Sequence, residues 1–261
     1  MRALSIAATG MSAQQMRVEV VSNNLANMST TGYNARRAEF ADLHYEQAAR
    51  PGTISSATGT ELPTGVQLGL GVRPSSVTVE LQQGSLVQTG GDLDVAIEGN
   101  GYIEVELPSG QSGYTRDGAL KRTGEGQIVT SDGYPAVPGI TIPEDARSVS
   151  INADGEVYGY FMDEPEPQLL GRLTLATFSN AKGLEARGSN IFVETAASGP
   201  AIVGEAGTDG LGTFRQGYLE DSAVDPVREI TRLIEAQRGY ELNSKVISAA
   251  DQMLGATTQI R

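Results

Sequence analysis

His44 is the only histidine of the chain, and cysteine is absent. Neither a nucleophile–histidine triad nor a thiolate or two-histidine zinc site can be assembled from that stock. Three carboxylate groupings have a spacing that general acid–base chemistry could use: Asp92 with Asp94, Glu104 with Glu106, and Asp163 with Glu164 and Glu166. Acids two apart on a strand share a face, and glycosidases work with two carboxylates. With aromatic residues at 5% and no Trp, a sugar platform is lacking, so solvated surface charge is the expected role and a secreted carbohydrate-acting enzyme the alternative. Asn152 to Glu156 (NADGE) lacks the 12-residue frame of a calcium loop and is expected to be a turn. Gly99-Asn100-Gly101 has no phosphate-loop context, and the sequon Asn27-Met28-Ser29 is short enough to arise by chance. The residue types therefore predict no catalytic, cofactor or metal site, and a structural rather than enzymatic protein.

Charge points the same way. The net charge of −13 is uneven: residues 1–40 carry +2, residues 221–261 carry −1, and residues 41–220 carry −14. An acidic middle argues against nucleic acid, whose phosphates need a basic surface. It suits a subunit soluble through its middle and associating through nearly neutral ends. No apolar run approaches the roughly 20 residues that span a bilayer. Leu4 to Ala8, broken by Thr9 and Gly10, makes a poor signal peptide, so the expectation is a cytoplasmic chain or one exported by a route without a cleaved signal.

What these residues need is elements to hold them, and the ends supply the clearest. Leu4, Ala7, Met11, Gln14, Val18, Val21, Leu25 and Met28 step by threes and fours, a heptad seam with one polar member. An ordinary amphipathic helix on its own domain would show the same spacing. Residues 27–32 then stop the helix. Near the other end, Asp225 can cap a helix beginning at Pro226, or Ser222 can cap one with Asp225 in its first turn. Within it Leu242, Val246, Ala249, Met253, Ala256 and Ile260 form a second seam, widened by Ile247, Ala250 and Leu254 to about half the circumference. Glu241, Ser244, Lys245, Ser248, Asp251, Gln252 and Gln259 fill the rest. Gly239, costing about 1 kcal/mol against Ala, predicts a bend or a close contact. Heptads at both ends predict that the N- and C-terminal helices pair.

Between them, the Gly, Pro, Ser and Thr of residues 41–71 predict an irregular extended linker. Alternation in Val77-Val79-Leu81, Leu93-Val95-Ile97 and Ile103-Val105-Leu107, with Leu173, Leu175, Ile191 and Val193 further on, predicts strands, and Asp117-Gly118, Asp132-Gly133 and Asp154-Gly155 predict hairpin turns. The expected class is α+β. Paired, coiled-coil-like terminal helices (1–40 and 221–261) flank a linker (41–71) and a central antiparallel, partly barrel-like β body (72–220).

The ends also carry words. Residues 9–15 (TGMSAQQ) and 22–40 (SNNLANMSTTGYNARRAEF), with Asn23, Asn24, Leu25, Ala26, Asn27 and Gly32, resemble the N-terminal signature of the flagellar rod and hook family. Residues 217–254, with Gln237, Arg238, Tyr240, Asn243 and Ser244, resemble its C-terminal signature. PTGVQLGLGV (63–72), QQGSLVQTGGDLDVAIEGNGYIEV (82–105), YTRDGAL (114–120) and SDGYPA (131–136) are similar to the distal-rod members rather than to proximal-rod or hook subunits. Tyr33, Asn34, Ile103, Ala223, Pro226 and Gly239 depart from the usual residues. The resemblance implies a subunit exported unprocessed by the flagellar type III apparatus. Such subunits polymerise helically into a hollow tube, helices at the inner wall and β body outside. The tube carries torque from motor to hook and passes later subunits down its bore. The implied partners are further copies of the chain, proximal-rod and hook proteins, and the peptidoglycan-layer and outer-membrane rings, with no nucleic acid. The implied place is the basal body, from periplasm to outer membrane. No cofactor is implied.

Overall fold

Asp225 decides the start of the C-terminal helix. Its Oδ1 accepts the amides of Val227 at 3.0 Å and Arg228 at 3.2 Å, capping a helix whose first residue is Pro226. In the computed structural model, which describes residues 2–51, 64–162 and 166–259, this helix, α2, runs Pro226–Gln259, and the N-terminal helix, α1, runs Arg2–Ala26. Ile260, Asp163 and Glu164 fall outside the described residues.

The chain forms two compact units. One contains residues 1–26, 36–78 and 225–261; the other contains residues 27–35 and 79–224. In the first, α1 and α2 lie side by side. A Cβ built on Gly10 would stand 2.8 Å from the Asn243 amide, one on Gly239 would stand 3.1 Å from Gln14, and Asn24 is bonded to Glu229. Each advance along α1 is matched by an equal retreat along α2, so the pair is antiparallel. The unit also holds strand Arg36–Asp42 and all but the last residue of its partner Val72–Val79, and Tyr45–Ala49 antiparallel to Val66–Gly69. The last pair lies where turn-forming residues predict an irregular linker. Backbone ladders need no apolar alternation, and Tyr45, Val66 and Leu68 in this one stay exposed.

The second unit is built on a six-stranded antiparallel sheet with the order Glu185–Gly188, Ile191–Val193, Ser112–Thr115, Tyr102–Glu106, Leu175–Thr177, Ile202–Gly204. A three-stranded sheet (Ala146–Ile151, Glu156–Phe161, Gln168–Arg172) and three two-stranded ladders complete it. Val95, Ile97, Ile103, Val105, Leu173 and Leu175 are fully buried in its core. Val77 and Leu81, which continue the alternation in sequence, are exposed. The barrel expectation is corrected: no sheet closes among the described residues. The two edge strands of the six-stranded sheet, Glu185–Gly188 and Ile202–Gly204, do not pair with each other, and a barrel needs that closure.

Asp154-Gly155 turns a hairpin as expected, with Asn152 Oδ1 accepting the amides of Asp154 and Glu156. Asp117-Gly118 does not. Asp117 accepts the Ala119 amide, and Gly118 lies against the neighbouring Val95, where an added Cβ would fall 1.6 Å from the Val95 carbonyl oxygen. Close backbone approach, not a tight turn, requires that glycine.

Candidate assembly site

The helical unit is fastened by polar side chains that the heptad reading passes over. Asn24, wholly buried, donates from Nδ2 to the Arg36 carbonyl at 2.8 Å, and its Oδ1 accepts the Arg36 amide at 2.9 Å. It thereby copies the pairing of a neighbouring strand. The same Nδ2 lies 3.1 Å from Glu229 Oε2. Glu229 is 2% exposed in the first turn of α2, and its other oxygen accepts from Arg232 at 2.6 Å. A carboxylate there gains from the positive end of the helix dipole. One asparagine thus joins α1, the following strand and α2. Nearby, hydroxyls of Thr78 and Ser76 donate to Glu39 and, with Arg37, hold its carboxyl below the usual carboxylate range, the Thr78 bond having the largest effect.

The two helices meet through small and polar residues. Ala7 and Ala13 of α1 and Ala236 and Ala250 of α2 are buried, Gly239 admits Gln14, and Asn243 fills the space left by Gly10. Knobs from two apolar seams are not what joins them, so the coiled-coil expectation is not carried by this contact. Small residues allow a closer approach than Leu and Val would. On α1, Ala7 and Val21 of the predicted seam are buried and Leu4, Met11, Val18 and Leu25 half-buried. On α2 the seam points elsewhere. Leu242 is 62% exposed, Val246 48% and Met253 65%, and Ala249 is exposed as well. A second stripe, Val227, Ile230 and Ile234, is likewise exposed.

α2 therefore has three faces over residues 239–253. At about 100° per residue, Gly239, Asn243, Ile247 and Ala250 turn toward α1, Leu242, Val246, Ala249 and Met253 form an apolar stripe, and Glu241, Ser244, Lys245, Ser248 and Gln252 form a polar one. Gln237, Arg238 and Tyr240 are exposed, Asn243 is half-buried, and Ser244 accepts the Ser248 hydroxyl through its carbonyl. Asn23 and Ala26 are exposed at the end of α1.

In the second unit a buried ion pair holds the loops. Arg116 Nη2 lies 2.7 Å from Glu220 Oε2, with side chains 9% and 3% exposed. Arg116 also donates to the carbonyls of Gly99 and Gly101, and Glu220 accepts the Gly84 amide. Asn27 and Gly32 belong here: Asn27 accepts the Thr30 hydroxyl, and Gly32, at φ +66°, donates its amide to the Glu220 carbonyl. The sequence reading missed Arg116, Glu220 and Glu229, whose value lies in burial, which no periodicity reports, and Arg36, which enters through its backbone bonds to Asn24.

The acids singled out for chemistry do not converge on a catalytic pair. Asp92 and Glu106 are exposed, Asp94 accepts the Thr89 hydroxyl, and Glu104 stands opposite Tyr114 across a ladder. Among the described residues no group of three or more acids or histidines could hold a metal ion. No described helix is long and apolar enough to cross a membrane.

Residues 4–34 match the family described as flagella basal body rod protein, residues 96–159 the flagellar hook protein FlgE/F/G D1 domain, and residues 215–260 the flagellar basal body rod FlgEFG protein C-terminal region. The flagellar basal-body rod protein FlgG of Caulobacter vibrioides is 52% identical over the whole of both chains. That of Agrobacterium fabrum is 47% identical over 97% of each, and the flagellar hook-basal body complex protein FlhP of Bacillus subtilis is 32% identical over the whole of both.

Proposed function

The chain belongs to the flagellar basal-body rod proteins and is a structural subunit of the distal rod, not an enzyme, and from that premise we propose that it polymerises helically into the hollow shaft joining motor to hook. The observation that carries this is the exposed apolar surface of α2. Leu242, Val246, Ala249 and Met253 form a stripe on a helix already packed against α1. Surface of that kind marks an interaction site. Neighbouring copies cover it in this reading, burying at roughly 25 cal/mol per Å² the area a lone subunit leaves in water.

The reading extends to partners and place. The shaft meets proximal-rod protein at one end and hook protein at the other, and passes the peptidoglycan-layer and outer-membrane rings on its way from the periplasm. Its subunits arrive through the flagellar export apparatus without a cleaved signal. Electron microscopy of basal bodies from a strain lacking the gene tests this. A rod that stops short of the rings and bears no hook is the expected image; a complete rod would refute it.

The polar stripe of Glu241, Ser244, Lys245, Ser248 and Gln252 lines the bore, in the same reading, and unfolded cargo passes without adhering. In assembled rods Ser248→Cys is expected to react with a maleimide that reaches the bore, while Val246→Cys is shielded by the next copy. Protection at 248 with reaction at 246 would reverse the assignment of faces.

A further inference from the structure

Four arginines from three elements of the helical unit line one cleft of about 220 Å³: Arg17 of α1, Arg36 and Arg37 of the following strand, and Arg232 of α2. Glu235 is the one acid in its wall among the described residues. Arg232 is committed to Glu229 at 2.6 Å and Arg37 to Glu39 at 3.3 Å. Arg17 and Arg36 are different. Both are half-buried, and neither has a carboxylate within ion-pair distance among the described residues. Arg17 lies over the Phe40 ring, its guanidinium carbon 5.6 Å from the centroid. Arg36 is fixed at its base, because Asn24 grips both its amide and its carbonyl.

Partly desolvated cations without a counter-ion are costly, and a guanidinium held in place is suited to grip a carboxylate through two parallel hydrogen bonds. Val20 and Val21, also in the wall, lower the local dielectric and strengthen such a bond. The chain has the complementary charge in excess, its −14 lying between residues 41 and 220. Exposed acids of the β body, Glu106 and Asp132 among them, have no ion pair among the described residues.

We propose that this arginine cleft receives carboxylates from the β body of a second copy of the chain, so that acidic body and cationic cleft interlock from subunit to subunit. The inference rests on the polymer reading above and adds to it a polar contact independent of the apolar stripes of α2. It accounts for an acidic protein concentrating arginines in one half-buried cleft. It also accounts for a second role of Asn24, which places Arg36 as well as joining the helices.

The test uses intact basal bodies. In Arg36→Lys the charge stays and an amine becomes available to a zero-length carbodiimide. Cells co-express this variant with an epitope-tagged parental copy, so that bonds between copies differ in mass from bonds within one. The expected result is an amide joining position 36 of one copy to an acid within residues 79–224 of another. Normal rods whose position 36 couples only to acids of its own chain, such as Glu19 or Glu235, would overturn the proposal while leaving the polymer reading intact. Coupling only to a different protein would also overturn it. Basal bodies in which the parental chain is absent from the rod would instead defeat the polymer reading itself. If Arg36→Lys blocks rod formation, Arg17→Lys supports the same measurement with the same outcomes.

Discussion

Arg116→Ala is expected to lower the thermal midpoint of the β body on the order of 10 °C. Arg116 and Glu220 are buried together, and removing one member of such a pair leaves the other charge uncompensated, at a cost of about 3–5 kcal/mol. For a unit of this size each kcal/mol is worth roughly 2–4 °C. The loss extends beyond the ion pair. The guanidinium also satisfies the carbonyls of Gly99 and Gly101, which the alanine leaves without that donor. Because Glu220 also carries the Gly84 amide and, through its backbone, the Gly32 amide, three loops loosen at once. Scanning calorimetry of the purified chain measures this. Glu220→Gln removes the charge yet keeps an acceptor for Gly84, so it should cost less than Arg116→Ala. A fall of under about 2 °C for Arg116→Ala would show that the pair is not what holds these loops.

Asn24→Asp, nearly isosteric, is expected to destabilise the helical unit by about 3–5 kcal/mol at neutral pH. The substitution removes the amide that donates to the Arg36 carbonyl and to Glu229, and sets a second carboxylate 3.1 Å from the first where both side chains are buried. Burial and the neighbouring charge raise the introduced carboxyl above its unfolded value of about 3.9. Its penalty is therefore absent below that value, where the group is protonated folded and unfolded alike. It grows as the pH rises toward the raised folded value and is constant beyond it. Asn24→Ala loses those bonds and also the acceptor of the Arg36 amide, but brings in no charge, so its deficit should vary little with pH. Denaturant midpoints of both variants across the acid range, read from helix circular dichroism, decide the matter. Parallel curves for the two would remove the electrostatic argument. In cells, both variants should assemble fewer rods, because the clamp sets how α1 lies on α2.

What the sequence alone determined is local or lexical. Pro226 marks a helix start, because a residue without an amide hydrogen fits the first turn; the same signals left Asp225 and Ser222 both open as the cap, and the Asp225 Oδ1 bonds to Val227 and Arg228 chose between them. The Val95, Ile97, Ile103 and Val105 alternation marks buried strands, because a pleat repeats every two residues. The absence of Cys and the single His removed whole classes of chemistry before any fold was known. The signatures at the two ends identified the family, being long strings rather than patterns of polarity.

Tertiary structure decided the rest. Heptad spacing shows that α2 has an apolar stripe but not which neighbour it meets. The face set on α1 turned out to be the one bearing Gly239, Asn243 and Ala250, since close helix packing rewards small side chains over large ones. Asp117-Gly118 has the letters of a hairpin, yet the glycine is there for the backbone of Val95, a residue far away in sequence. Asn24 with Glu229, and Arg116 with Glu220, join residues more than a hundred positions apart. Polar side chains of that kind look like surface in a sequence, and only the burial that surrounds them turns their charge and hydrogen bonds into the contacts on which each unit depends.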